Sequence, residues 1–200
     1  MSVRLIAIAM VVLLLSACGS GEDVPDDQEI KPASTPSGWT STDLGAVTVA
    51  APPAWEKGDT KKATQTMAVT TWQHPVAGGT SDSGLEVRII SKPQQNAEKA
   101  AKALAVSAMA QLESGKVEPK AITWPGATDA FLLSYQPKFG PTDAKKTYVS
   151  RTFVFDLEDK RQVQVTSLAA EDSGDTKLPE RVLSTVRLKS GSKPPDGGGY

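Results

Sequence analysis

Between Gly38 and Lys189 apolar and polar positions mostly alternate with a period of two, the signature of strands buried on one face. Val47 and Val49 alternate with small or polar neighbours until Pro52-Pro53, which end the strand because proline cannot donate to a ladder. Met67 to Trp72 is rich in β-forming residues and stops before Pro75. Leu85, Val87 and Ile89 share one face while Glu86 and Arg88 share the other, and Gly78 to Gly84 predicts the hairpin loop joining this strand to the one before. The period then changes. Ala97, Ala101, Leu104, Ala105, Ala108 and Leu112 recur at helical spacing, with Asn96 as N-cap, Glu98 in the first turn and Gly115 as the C-terminal stop. A stripe dominated by alanine predicts close approach of this helix to a sheet.

Beyond the helix, Val117 to Trp124 is weakly patterned and ends at Pro125-Gly126. Phe131, Leu133 and Tyr135 line one side of a strand. Tyr148 to Leu157 is the longest strand and returns through Glu158-Asp159-Lys160-Arg161 into Gln162 to Leu168. Thr176 is positioned to cap a short helix reaching Leu183, and Val186-Arg187-Leu188 closes the fold. The order is three strands, a long helix, four strands and a short helix, with connections mostly of hairpin length. That predicts an α+β domain: a largely antiparallel β-sheet with a long helix and a short C-terminal helix packed on it. Arg151 is discordant, since it falls on the apolar face; it needs either a wet strand end or a slipped register.

The first eighteen residues follow different rules. Arg4 precedes an apolar run from Leu5 to Leu15, shorter than the roughly 20 residues a spanning helix needs. The run ends in Leu15-Ser16-Ala17-Cys18, which resembles the bacterial lipobox. That resemblance implies cleavage before Cys18, diacylglycerol on the Cys18 sulfur and acylation of the new amine, with palmitate among the chains. Two chains give the stable anchoring that one does not, at about 0.8 kcal/mol per buried methylene. The expected organisation is a lipoprotein signal peptide at 1–17, the lipidated Cys18 with a disordered acidic and proline-containing tether at 18–37, one domain at 38–189, and a disordered tail at 190–200. Glu22, Asp23, Asp26, Asp27 and Glu29 make the tether acidic enough to be repelled by anionic headgroups.

Charge narrows the partners. Lys and Arg number 22 against 23 Asp and Glu, and loss of Arg4 with the leader takes the net charge from −1 to −2. A nucleic-acid binder would carry a basic excess, so none is expected. Cys18 is the only cysteine, which excludes an internal disulfide.

Catalytic and metal chemistry find little support. His74 is the only histidine, reads as an exposed loop residue before Pro75, and has no G-x-S-x-G elbow to serve. With no second histidine and no calcium loop, no metal or cofactor is expected. Four tryptophans (Trp39, Trp55, Trp72, Trp124) lie near turns or strand ends. Trp55 and Trp124 suit plugs for the ends of the core, whereas Trp72, before Gln73-His74-Pro75, is the candidate for a binding surface. Lys61-Lys62 and Lys145-Lys146 read as solvated loop pairs.

The early strand running into Pro52-Pro53-Ala54-Trp55, the alanine-rich helix, the paired strands around Glu158 to Arg161 and the closing Leu178-Pro179-Glu180-Arg181-Val182-Leu183 resemble the PsbP-like fold. This α/β/α sandwich occurs in photosystem extrinsic proteins and in actinobacterial lipoproteins of the LpqN and LpqT type. The resemblance covers about three quarters of the chain and implies an extracytoplasmic binding or accessory role without catalysis. The expectation is a non-enzymatic lipoprotein on the outer face of the bacterial cytoplasmic membrane, held by its N-terminal lipid, whose partner is an envelope protein or glycolipid. The alternatives are a carrier with an apolar cavity between sheet and helix, and an unrecognised hydrolase.

Overall fold

A computed structural model of the chain describes residues 29–76, 81–112, 115–140 and 145–189. Six strands come first: β1 (Thr40–Asp43), β2 (Val47–Ala51), β3 (Glu56–Lys57), β4 (Lys61–Thr64), β5 (Met67–Gln73) and β6 (Ser83–Ile90). Helix α1 (Ala97–Met109) is followed by β7 (Lys120–Ala121), β8 (Asp129–Tyr135), β9 (Lys138–Phe139), β10 (Lys146–Asp156) and β11 (Gln162–Ala170). Helix α2 (Leu178–Ser184) and β12 (Arg187–Leu188) complete the order. The fold is α+β with mostly antiparallel sheet, as the alternation predicts.

The strands form two sheets rather than one. The larger runs β3-β5-β6-β11-β10-β8-β7, with β4 also paired to β5 and β9 to β10; the smaller runs β1-β2-β12. Every pairing is antiparallel. Register aligns the apolar rows: Phe153 lies between Val165 and Leu132, and Val165 lies between Phe153 and Val87. This face, with Phe155, Trp72 and Leu85, is closed by the small sheet and α2 through Val47, Val49, Val182, Leu183 and Val186. Burying each Phe or Leu here contributes about 1.5–3 kcal/mol.

Helix α1 occupies the opposite face. Ala97, Ala100, Ala101, Ala105 and Ala108 are buried against Leu133 and Val154, which is what a small-residue stripe permits. Its first turn is held twice. Asn96 accepts from the Lys99 amide at 3.1 Å, and Asp156 of β10 accepts from the Ala97 amide at 2.7 Å. No described helix is long and apolar enough to cross a membrane.

Several expectations change. The long helix ends at Met109 with Ala110 in right-handed geometry; Gly115 has a positive φ of 100°, but beyond the helix. Only Lys120–Ala121 of the weak segment 117–124 pairs, because that edge strand is exposed. The N-cap of α2 is Lys177 without a side-chain bond, so Thr176 does not cap it. The folded body also begins before Gly38. Ile30 packs against the main core, the Ala33 amide donates to the Ser184 carbonyl at 2.9 Å, and Arg187 donates to the Ala33 carbonyl. Residues 30–33, assigned to the tether by their polar surroundings, therefore lie along α2.

Arg151 resolves differently from either expectation. The register through β10 is regular, and Arg151 is 2% exposed on the inner face, between Ser134 and Ser167 on the neighbouring strands. Its Nη2 donates to Glu180 Oε1 of α2 at 3.2 Å and its Nη1 to the Ser150 carbonyl at 3.3 Å. The helix brings the counter-charge to the strand.

Candidate functional site

Cys18, the expected signal peptide at 1–17, the expected tether up to residue 28 and the tail 190–200 lie outside the described residues, as do residues 78–80 of the Gly78 to Gly84 loop. Trp72 is described, and it is not a surface residue. It is 3% exposed because its register opposite Leu85 turns it toward the core. Trp55 and Trp124 are buried as expected, Trp124 against Phe153 with ring centroids 4.7 Å apart.

His74 is half-buried and paired. Its Nδ1–H donates to Asp82 Oδ1 at 2.8 Å across the mouth of the β5–β6 hairpin, and Ser83 Oγ donates to the same oxygen at 3.0 Å. Burial pushes the Asp82 carboxyl up, but the bonds from His74 and Ser83 outweigh it and leave the group below its ordinary value. Ser81 Oγ is spent on backbone carbonyls, those of His74 at 2.8 Å and Ser83 at 2.6 Å, so it is not engaged by the imidazole. The Tyr148 hydroxyl reaches the Ser81 carbonyl at 3.4 Å, and Lys146 pairs with Asp172 at 3.0 Å. These bonds tie the ends of four strands together. They make a His–Asp pair in which the one bonded hydroxyl, Ser83, is on the carboxylate, and among the described residues no hydroxyl or thiol is bonded to the imidazole. Among the described residues no three His, Cys, Asp or Glu side chains are grouped to hold a metal.

The site that sequence reasoning missed lies at the opposite end of the hairpin. A groove of about 740 Å³ opens between the β1–β2 turn and the β3–β4–β5 corner of the large sheet. Its apolar lining is Leu44, Met67, Ala68 and Ile89, with Ala68 and Ile89 directly opposed on β5 and β6, and Leu44 and Ile89 also pack on the main core. Threonine hydroxyls form one wall, with Thr60 and Thr70 bonded to each other at 2.8 Å. Such a volume, with an apolar lining and a few polar groups, falls in the range of ligand clefts.

Four charged residues line the groove, and two of them are already satisfied. Asp43 bonds Lys189 and the Gly45 amide, and these, Lys189 first, hold its carboxyl below the ordinary range. Arg161 is gripped by Asp159 through Nε at 2.9 Å and Nη2 at 2.5 Å. Lys57 and Lys62 remain, both exposed and without an ion-pair partner among the described residues. Register explains why they face inward. Lys62 lies opposite Ala68 and Lys57 opposite Trp72, and directly opposed residues of an antiparallel pair share a face. Lys61, opposite Val69, and Glu56, opposite Gln73, point the other way. The Lys61-Lys62 pair is thus a strand with its two charges on different faces, not a solvated loop; its only sequence signal is a two-residue polar alternation.

No family model matches the chain, and no curated protein matches it. It is similar in structure to a protein of unknown function, PA94, from Pseudomonas aeruginosa, at 17% identity and TM-score 0.45, covering 76% of this chain and 97% of that one. A structure from Bacteroides thetaiotaomicron VPI-5482 matches at 10% identity and TM-score 0.44 over 77% of this chain. The match spans about half of the Bacteroides chain, 49%.

Proposed function

We propose that this chain is a lipid-anchored, non-catalytic binding protein of the bacterial cell envelope, held at the outer face of the cytoplasmic membrane through Cys18. The observation that carries the binding role is the open groove, whose apolar lining is continuous with the core and which is lined by two lysines without an ion-pair partner among the described residues. The anchor rests on Leu15-Ser16-Ala17-Cys18. The finer fold assignment, a PsbP-like α/β/α sandwich, is part of the same proposal; it is supported by α1 on one face of the large sheet and α2 on the other.

Geometry limits how far the body stands from the membrane. With Ile30 packed on the core, the chain from Cys18 to Ile30 spans at most ~43 Å fully extended. The domain works close to the bilayer, within reach of membrane proteins and lipid headgroups.

Two measurements test the proposal. Labelling of growing cells with an alkyne palmitate analogue is expected to mark the wild-type chain and not Cys18→Ala. A photoreactive residue at Lys62 is expected to capture a discrete envelope component, while the same residue at Lys120, on the far edge, does not. Unlabelled protein overturns the anchor, and equal capture from both positions overturns the groove as binding face.

The carrier reading is favoured by the same lining, although its cavity is not between sheet and α1, where five alanines are packed nearly completely. The hydrolase reading retains only the His74–Asp82 pair. An activity-probe profile unchanged in His74→Ala removes it.

A further inference from the structure

The groove has a direction. Leu44, Ala68 and Ile89 form an apolar strip, Ala68 and Ile89 being directly opposed on β5 and β6, and Lys57 and Lys62 line the same groove. Lys57 and Lys62 face β5 at Trp72 and Ala68, so their backbones lie about 13 Å apart, a distance two lysine side chains can close onto one anion. The other charges cannot compete. Asp43 is neutralised by Lys189, and Arg161 by Asp159. A ligand here meets an apolar strip and net positive charge at its edge. A neutral apolar molecule leaves the lysines unused, and a small anion leaves the strip wet.

We propose that the groove takes a single acyl chain carrying an anionic headgroup, drawn from the adjoining membrane, with the chain along Leu44, Ala68 and Ile89 and the headgroup at Lys57 and Lys62. This rests on the binding role proposed above and names the class of ligand for the same groove. Charge complementarity carries the headgroup, since charge-assisted bonds are the stronger kind and these two ammonium groups have no ion-pair partner among the described residues. Continuity with the core carries the chain, since Leu44 and Ile89 already pack on buried residues on one side and present the other side to the groove.

The test uses the chain from residue 18 with Cys18→Ser, so that no attached acyl group competes. Dodecyl phosphate, dodecyl maltoside and inorganic phosphate are titrated below micellar concentrations, with heat of binding and amide spectra as readouts. Dodecyl phosphate is expected to bind at least about tenfold more tightly than either comparison probe, with shifts at Leu44, Ala68 and Ile89. The double variant Lys57→Gln, Lys62→Gln alters only exposed side chains and is expected to lose that preference while keeping the wild-type spectrum elsewhere. Equal affinity for the maltoside overturns anionic recognition, and equal affinity for inorganic phosphate overturns the acyl chain. Shifts confined to other surfaces overturn the groove assignment. None of these failures bears on capture of an envelope component from Lys62, so this inference and the binding proposal fall separately.

Discussion

Removing the carboxylate of Glu180 isolates a buried charge. Arg151 is 2% exposed and its only counter-ion among the described residues is Glu180 at 3.2 Å, whose own side chain is 20% exposed. Truncating one partner of a fully buried pair costs about 3–5 kcal/mol, because the remaining ion has lost its compensation. Here water reaches the Glu180 side, so the smaller value for a hydrogen bond to a charged group, about 1.5–3 kcal/mol, is the better expectation for Glu180→Ala. For a domain of this size that lowers Tm by roughly 4–10 °C. Urea unfolding followed by tryptophan fluorescence measures it directly. The pair itself is worth much less than its breakage, so Arg151→Met combined with Glu180→Leu is expected to be at least as stable as either single variant. A Glu180→Ala loss below about 0.5 kcal/mol, within the range of ordinary surface substitutions, refutes the argument. So does a double variant weaker than both singles.

Three further outcomes follow from single contacts. Thr185 Oγ1 accepts from the buried Ala50 amide at 2.9 Å and donates to the Val182 carbonyl at 2.7 Å, joining α2 to β2. Thr185→Val keeps the shape and strands that amide, for an expected loss of about 1–3 kcal/mol by urea unfolding, with Thr185→Ser largely restoring it. Asp156→Ala removes the acceptor and the negative charge at the start of α1 and one acceptor of the buried Gln162 amide, an expected cost of about 1–2 kcal/mol or more read as faster amide exchange in the first turn of that helix and at Gln162. For Asp82, a folded-state pKa below the ordinary value means that its contribution to stability is complete above the normal carboxylate range and is lost as pH falls through the lowered value. In His74→Ala burial remains while the main opposing bond is gone, so the Asp82 carboxyl carbon is expected to titrate at higher pH, and acid unfolding to begin earlier.

Strands with two-sided contrast were legible from side chains alone. Leu85, Val87 and Ile89 against Glu86 and Arg88 give β6 its face, and Phe153, Phe155, Val163 and Val165 give the β10–β11 hairpin its register. Helix α1 was legible from its alanine stripe and Asn96, though its last turn was not, because Ala110 continues in right-handed geometry without a glycine stop. Trp72 was misplaced because Ala68, Thr70 and Thr71 contrast too weakly to say which side of β5 is wet; the decision comes from Leu85 on the next strand. Arg151 was unreadable in isolation, since its partner lies 29 residues away on a different element. The groove was invisible for the same reason in stronger form. Two of its walls are β3 and β4, short edge strands that are exposed on both faces and carry the lysines and threonines expected of edges. Nothing in the composition of such strands distinguishes an edge that repels neighbours from one that receives a ligand.

The seating of Ile30 and Ala33 has a mechanical consequence. Tension arriving along the N-terminal segment meets Ile30 on the core, then the hydrogen bond from the Ala33 amide to the Ser184 carbonyl and the Arg187 grip on the Ala33 carbonyl, at the C-terminal end of α2 and the start of β12. From α2 it is passed through Thr185 to β2 of the small sheet and through Glu180 to Arg151 of β10 in the large one. A tug on the leash is therefore shared between the two layers by the short helix that lies between them.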